Sequence, residues 1–405
     1  MEFNLNSFLM GVSTALDLSE QEILKTNTFH SKRVAYISVR IAKELALNDE
    51  ECFDLVSLAI MHDNGLTEAV LNGALTYKDT EFKALEEIKD HCRIGEKNIE
   101  NFPFLTNPKN VILYHHEHCD GSGFYEKNCN EIPLMAKILS FSDEIEFKFD
   151  LCDYSKKNKK SIKDFSAQNV GKLFDENVVR AFMKISDEIS FWLDMQEVTL
   201  NQSLTDYIPE ISIDIDWKEI LKITKVFSQI IDSKSKFTYK HTRGLIEKIE
   251  RMSSYYNFDE EKIIKLKIAA SLHDLGKLAV SNKILEKDGP LDQDEFEDIK
   301  IHTYFTHFTL RNLKGFHEIE RWAYCHHEKL DGSGYPYGFS AEELGFEERL
   351  MGCLDIYQAL TEDRPYRNGM NHNEAIMIME AMVEKSFIDA VIVNDIKQFF
   401  MESKT

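Results

Sequence analysis

Residues 326–336 read HHEKLDGSGYP, and residues 115–125 read HHEHCDGSGFY. The second string lies 211 positions before the first, and the offset holds along the chain. His30 pairs with His241, His62-Asp63 with His273-Asp274, and His91 with His302, while Asp143 and Asp355 are separated by 212. One offset shared by so many positions means internal duplication, so the chain is read as two copies of one module of about 190 residues. The expected layout is a first module over 1–200, a linker over 201–217 and a second module over 218–405.

Each module should be helical. Only 7 Pro and 17 Gly interrupt long segments with apolar residues at three- and four-residue spacing. Segment 241–256, HTRGLIEKIERMSSYY, puts Leu245, Ile249 and Met252 on one stripe. Segment 260–272, EEKIIKLKIAASL, is apolar on more than one face, as in a helix near the centre of a domain. Asn257-Phe258-Asp259 between them offers a turn and an N-cap. Helices over 168–196 are expected to complete the first module. The one strand-like alternation is EISIDID at 210–216, assigned to the linker. The fold class is therefore all-α, as two tandem helical domains.

Bulk properties narrow the function. A net charge of -22 opposes binding of polymeric nucleic acid, so an anionic ligand must be small and held by local positive charge. The seven cysteines are scattered, odd in number and never spaced CxxC, which points to reduced thiols in a cytoplasm rather than a disulfide framework or a thiolate zinc site. The N-terminus lacks a basic leader, and no stretch approaches eighteen uninterrupted apolar residues, so neither export nor a membrane span is expected.

In the second module, His273 and Asp274 are neighbours splayed by about 100° on a helix, with Lys277 on the same face. His326 and His327 end another helix before a Gly-rich turn, and His241, His302 and Asp355 come from three further segments. Five imidazoles and two carboxylates exceed the needs of one tetrahedral ion but suit two metals sharing a carboxylate. Two such ions about 3.5–4 Å apart, bridged by hydroxide, suit in-line attack on a phosphodiester. Lys277 and the arginines of EDRPYR, Arg364 and Arg367, could hold phosphate oxygens. Imidazole mixed with carboxylate favours iron or manganese, with zinc and nickel as further candidates. Taken singly, an HD dipeptide, a Gly-rich turn or RPYR has a plainer structural reading; only their combination argues for chemistry.

HDLGK at 273–277, His302, HHEKLDGSGYP at 326–336 and DIYQALTEDRPYR at 355–367 closely resemble the HD-GYP domain of the HD phosphohydrolase superfamily. The resemblance covers roughly 225–385, and more weakly 14–150. It implies an HD-type helical fold and a metal-dependent phosphodiesterase that linearises a cyclic dinucleotide, 3′,3′-cGAMP and/or cyclic di-GMP. By matching position, one metal would fall to His241, His273, Asp274 and Asp355, and the other to Asp274, His302, His326 and His327. Lys277 would meet the scissile phosphate and share the catalytic role with Asp274, while Arg364, Arg367, Tyr335 and Asp331 would bind substrate. Some members add a glutamate four residues before the first histidine and hold a third metal; Phe237 stands there, so two metals are expected. Thr306 replaces the glycine usual four residues after His302, which is read as a packing difference.

The first module keeps the ligand types as His30, His62, Asp63, His91, His115, His116 and Asp143. Leu66 replaces the lysine, GYP has become GFY, and nothing like RPYR follows Asp143. It is expected to be a degenerate copy that stabilises or regulates the second, in contact with it, with a homodimer as the further association left open. Two other functions remain in play: a signalling protein that binds a cyclic dinucleotide or a partner with weak hydrolysis, and an HD phosphohydrolase of another small nucleotide.

Overall fold

A computed structural model of the chain describes residues 1–24, 29–71, 89–234, 241–287, 289–363 and 368–402. These residues are all-α apart from two-residue strands, Glu2–Phe3 and Ile213–Asp214, which pair with each other. The seven-residue strand expected at 210–216 is thus reduced to two residues. Pro209 stands before it, and at its end Asp216 is already capping the next helix. No helix among the described residues is long and apolar enough to cross a membrane. The chain divides into two compact units, Glu2–Ile213 and the residues from Asp214 onward together with Met1.

In the second unit, helix starts are written locally. Asp216 and Glu219 form a capping box for Trp217–Ser233, as do Asp292 and Glu295 for Gln293–Leu310 and Asn371 and Glu374 for His372–Glu384. Helix His241–Tyr255 buries Leu245, Ile249 and Met252. Asn257 then turns the chain at φ 53°, and the Asp259 side chain accepts from Lys262 N to start Glu260–Leu272. That helix buries Leu266, Ile268, Ala269, Ala270 and Leu272 and packs against Trp217–Ser233, His241–Tyr255 and His317–Tyr324. Its all-round apolarity is what a central helix requires.

The first unit is organised around helix His30–Glu44, which packs against Asp49–Ile60, Leu134–Lys148 and Leu200–Tyr207. The stretch 168–196 holds two helices, Glu176–Ile185 and Ile189–Leu193, rather than continuous helix from its start. Helix Lys156–Gln168 ends at Asn169, and Gly171 takes φ 70° before Asp175 caps the next helix. The cysteines depart from the reduced set expected. Cys119 and Cys129 form a disulfide, because the bridge between Asp120 and Asn128 folds their loop back and brings their Cα atoms to 4.0 Å. Cys52, Cys92, Cys152, Cys325 and Cys353 are free thiols.

Candidate metal centres

In the second unit the HD pair sits where a helix gives out. Helix Glu260–Leu272 ends at His273, Asp274 has φ −96° and ψ 9°, and a 3-10 turn runs over Leu275–Ala279. The two residues are therefore not neighbours on one helix, as the spacing suggested. The turn is possible because Gly276 has no Cβ: one there would run into the backbone carbonyl of His302. Thr306 secures the same approach, since its hydroxyl accepts from Gly276 N at 3.0 Å and donates to His273 O at 3.0 Å. It is a polar tie between two site segments rather than a packing variant.

Six of the seven expected ligands are nearly fully buried, and His327 is partly so. Ligand atoms of His241, His273 and Asp355 lie within 4.8 Å of one another, as do those of His302, His326 and His327. Asp274 stands between the groups. Its Oδ2 is 3.2 Å from His273 Nε2, and its Oδ1 is 3.6 Å from His302 Nε2 and 3.9 Å from His326 Nε2. That Oδ1 is buried without a hydrogen-bond partner, which a cation would supply.

Backbone carbonyls aim the rings. His273 Nδ1 lies 2.8 Å from Ala270 O, His302 Nδ1 2.6 Å from Ile299 O, and His326 Nδ1 2.6 Å from Ala323 O. A carbonyl only accepts, so each Nδ1 carries the proton and each Nε2 turns a lone pair toward the cluster. His241 differs: Nδ1 meets Glu362 at 3.0 Å and Nε2 meets Asp355 at 2.8 Å. Burial, the largest influence, pushes that imidazole down, but the two carboxylates outweigh it and lift it to about 10. Burial lowers His302 to about 3 and His327 to about 4, leaving both neutral. For Asp274 burial opposes ionisation, yet His273 and Lys277 hold the carboxyl well below the usual range.

Lys277 Nζ lies 2.6 Å from Asp274 Oδ2. Tyr335 covers the outer ligand, its ring centroid 4.9 Å from that of His327, and burial keeps its phenol protonated. Asp331 is not gathered with these groups: its exposed carboxylate accepts from Ser333 N and Oγ at 3.0 and 2.8 Å, closing the Gly-rich turn. Arg364, Arg367 and Phe237 lie outside the described residues.

The first unit repeats the arrangement. His62 Nδ1 lies 2.8 Å from Ala59 O and His115 Nδ1 2.6 Å from Ile112 O. Asp63 reaches His62 with Oδ2 at 3.5 Å and His91 with Oδ1 at 3.3 Å, and His30 Nε2 is 3.3 Å from Asp143 Oδ1. His116 Nδ1 is 3.8 Å from Asp143 Oδ2. The replacements are as concrete. Leu66 is buried where Lys277 carries charge, and Phe124, 5.3 Å from the His116 ring, lacks the hydroxyl of Tyr335.

Sequence reading missed three kinds of residue. Glu362 in the second unit and Glu146 in the first orient His241 and His30, and Glu146 also accepts from Arg33 Nε at 2.8 Å. The Glu of HHE organises the following loop, Glu328 accepting from the backbone N of Tyr337, Gly338 and Phe339, and Glu117 from Tyr125 and Lys127. Cys92, discounted with the other thiols, has Sγ 3.5 Å from His91 Nε2. Burial raises that thiol, but His115 and His91 outweigh burial and bring it down to about 6.

The sequence model of the HD domain family matches residues 14–168 and 225–392. The 3'3'-cGAMP-specific phosphodiesterase 1 of Vibrio cholerae serotype O1 is 26% identical over 394 residues, covering 92% of this chain and 88% of that protein. The 3'3'-cGAMP-specific phosphodiesterase 3 of the same organism is 26% identical, covering 93% and 91%. A cyclic di-GMP phosphodiesterase of Thermotoga maritima is 30% identical over 176 residues, 43% of this chain and 47% of that protein. A crystal structure of a cyclic GMP-AMP-specific phosphodiesterase of V. cholerae aligns with a TM-score of 0.70 at 23% identity, over 99% of this chain and 98% of that one, which shows a common fold.

Proposed function

Because the chain belongs to the HD domain family, we propose that it is a metal-dependent phosphodiesterase that opens a cyclic dinucleotide, 3′,3′-cGAMP and/or cyclic di-GMP, to the linear dinucleotide. The second module, 218–405, carries the reaction, and the first, 1–200, is structural or regulatory. The observation that carries this reading is Asp274: a buried carboxylate between two imidazole groups, with one oxygen unsatisfied and Lys277 against the other. The relatives named above supply the substrate class.

The donor set of nitrogen and oxygen suits two divalent transition metals, iron or manganese first, held by His241, His273, Asp274 and Asp355 and by Asp274, His302, His326 and His327. When bound, such cations supply Lewis acidity and neutralise charge gathering on phosphate. The rest of the work belongs to the chain. Glu362 and the carbonyls of Ala270, Ile299 and Ala323 hold the rings in one tautomer and orientation. Lys277 places a positive charge beside the scissile phosphate, Tyr335 offers a neutral hydroxyl, and Arg364 and Arg367 take the remaining phosphate oxygens.

Incubating the metal-loaded protein with 3′,3′-cGAMP and with cyclic di-GMP tests the reading by chromatography of the products. Formation of a linear dinucleotide from at least one is expected, and its loss in Asp274→Ala. Intact substrates with iron or manganese bound would sink it.

A further inference from the structure

Gly244 lies inside helix His241–Tyr255, where glycine is among the poorest helix formers, so its place there needs a reason. The side chain of Gln358 supplies one: a Cβ at position 244 would stand 2.4 Å from its Nε2 and 2.5 Å from its Oε1. That amide is buried and bonded at both ends. Its Nε2 donates to Glu362 Oε2 at 3.0 Å, and its Oε1 accepts from Lys248 Nζ at 2.5 Å. An ammonium only donates and a carboxylate only accepts, so these partners fix which way round the amide sits. Glu362 Oε2 is also the atom that meets His241 Nδ1, so Lys248, Gln358, Glu362 and His241 form one chain of contacts ending at an expected metal ligand. Glu362 stands just past the end of helix Phe346–Thr361, and its backbone N donates to Gln358 O at 3.0 Å, so Gln358 holds it by main chain and side chain together.

At the offsets of the repeat, Gly244, Lys248 and Gln358 fall on Arg33, Ile37 and Glu146. In the first unit the acid at the Gln358 position meets His30 directly, and the guanidinium at the glycine's position donates to that acid. No amide stands between acid and ring there, whereas the second unit places its acid one turn later and sets an amide behind it. We propose that Gln358, anchored by Lys248 in the space left by Gly244, is a positioning residue that fixes Glu362 and, through it, the His241 ring. The proposal rests on the metal-centre part of the reading above and does not depend on turnover.

The test measures manganese(II) binding to the full-length protein by competition with a chelator, with Asp274→Ala identifying the share that belongs to the second unit. Gln358→Leu, close in size, should weaken that share about tenfold, the low end for loss of a group behind a metal ligand, while keeping the wild-type far-ultraviolet circular dichroism. Lys248→Met should weaken it in the same direction and carries the test if Gln358→Leu does not fold. The discriminating measurement is a double variant. In Glu362→Ala the amide has nothing left to position, so adding Gln358→Leu should weaken binding no further, whereas a loss of packing alone would add to it. Wild-type affinity in either single variant, full additivity in the double variant, or the absence of any binding that depends on Asp274 would each overturn the proposal. A protein that binds manganese in the expected pattern yet leaves cyclic dinucleotides intact would refute the phosphodiesterase reading alone.

Discussion

Lys277 and Leu66 occupy matching positions after the HD pair, and between them lies the sharpest chemical difference of the two units. Replacing Lys277 with Leu should lower kcat/KM by about 10²–10³-fold, the scale of one lost oxyanion donor, with metal content unchanged. Steady-state kinetics alongside metal analysis would check this. His241 makes a second expectation. Its imidazole is raised from 6.5 to about 10 by Asp355 and Glu362 against burial, so the metal-free protein holds that proton at neutral pH. The stabilisation that proton brings is complete below pH 6.5 and is lost as pH rises toward about 10. Cation binding at that ring must expel it, so affinity should strengthen with rising pH over the same window. Calorimetry in buffers of different ionisation enthalpy would count the proton released. The lysine contrast was legible because it occupies one aligned position. Glu362 was not: it lies seven residues after Asp355, whereas Glu146 lies three after Asp143, so the two ring-orienting acids do not align. Removing Glu362 by Glu362→Ala should weaken metal binding about 10–100-fold, measured by competition with a chelator.

At the level of elements, the HD turn and helix Gln293–Leu310 act as one piece. Thr306 supplies the acceptor for Gly276 N and a donor for His273 O, and Thr306→Val keeps the shape while removing both bonds. The buried N–H left without a partner should cost about 1–3 kcal/mol, read from urea unfolding. The run AASLHDLGK contains no helix breaker before Gly276, so periodicity carries the helix past His273. Where it stops is decided by the carbonyl of His302, which lies 26 residues further along the sequence, packs against Gly276 and is absent from any local pattern. The caps tell the opposite story: Asp259 was readable from sequence because its side chain satisfies a backbone N–H only three residues on.

For the whole molecule, duplication explains both what could be read and what misled. The all-α class follows from helical periodicity, and ligand types repeat at fixed offset. A short strand at 213–214 was overextended because alternation was its only signal, and the Cys119–Cys129 pair was missed because one loop's closure is invisible in cysteine spacing. Under the proposed division of labour, His273→Ala should abolish cleavage of the cyclic dinucleotide, while His62→Ala should leave turnover and the second unit's metal in place. Loss of turnover in His62→Ala with that metal retained would assign the first unit a direct part in the reaction. The backbone carbonyls that aim His62, His115, His273, His302 and His326 have a spectroscopic consequence too. Each holds one ring proton in a hydrogen bond that is buried, or for His302 partly buried, so both units should show slowly exchanging imidazole N–H signals. Those resonances are native reporters, distributed over both halves of the chain, from which the filling of either half with a diamagnetic ion can be followed separately and without a label on the protein surface.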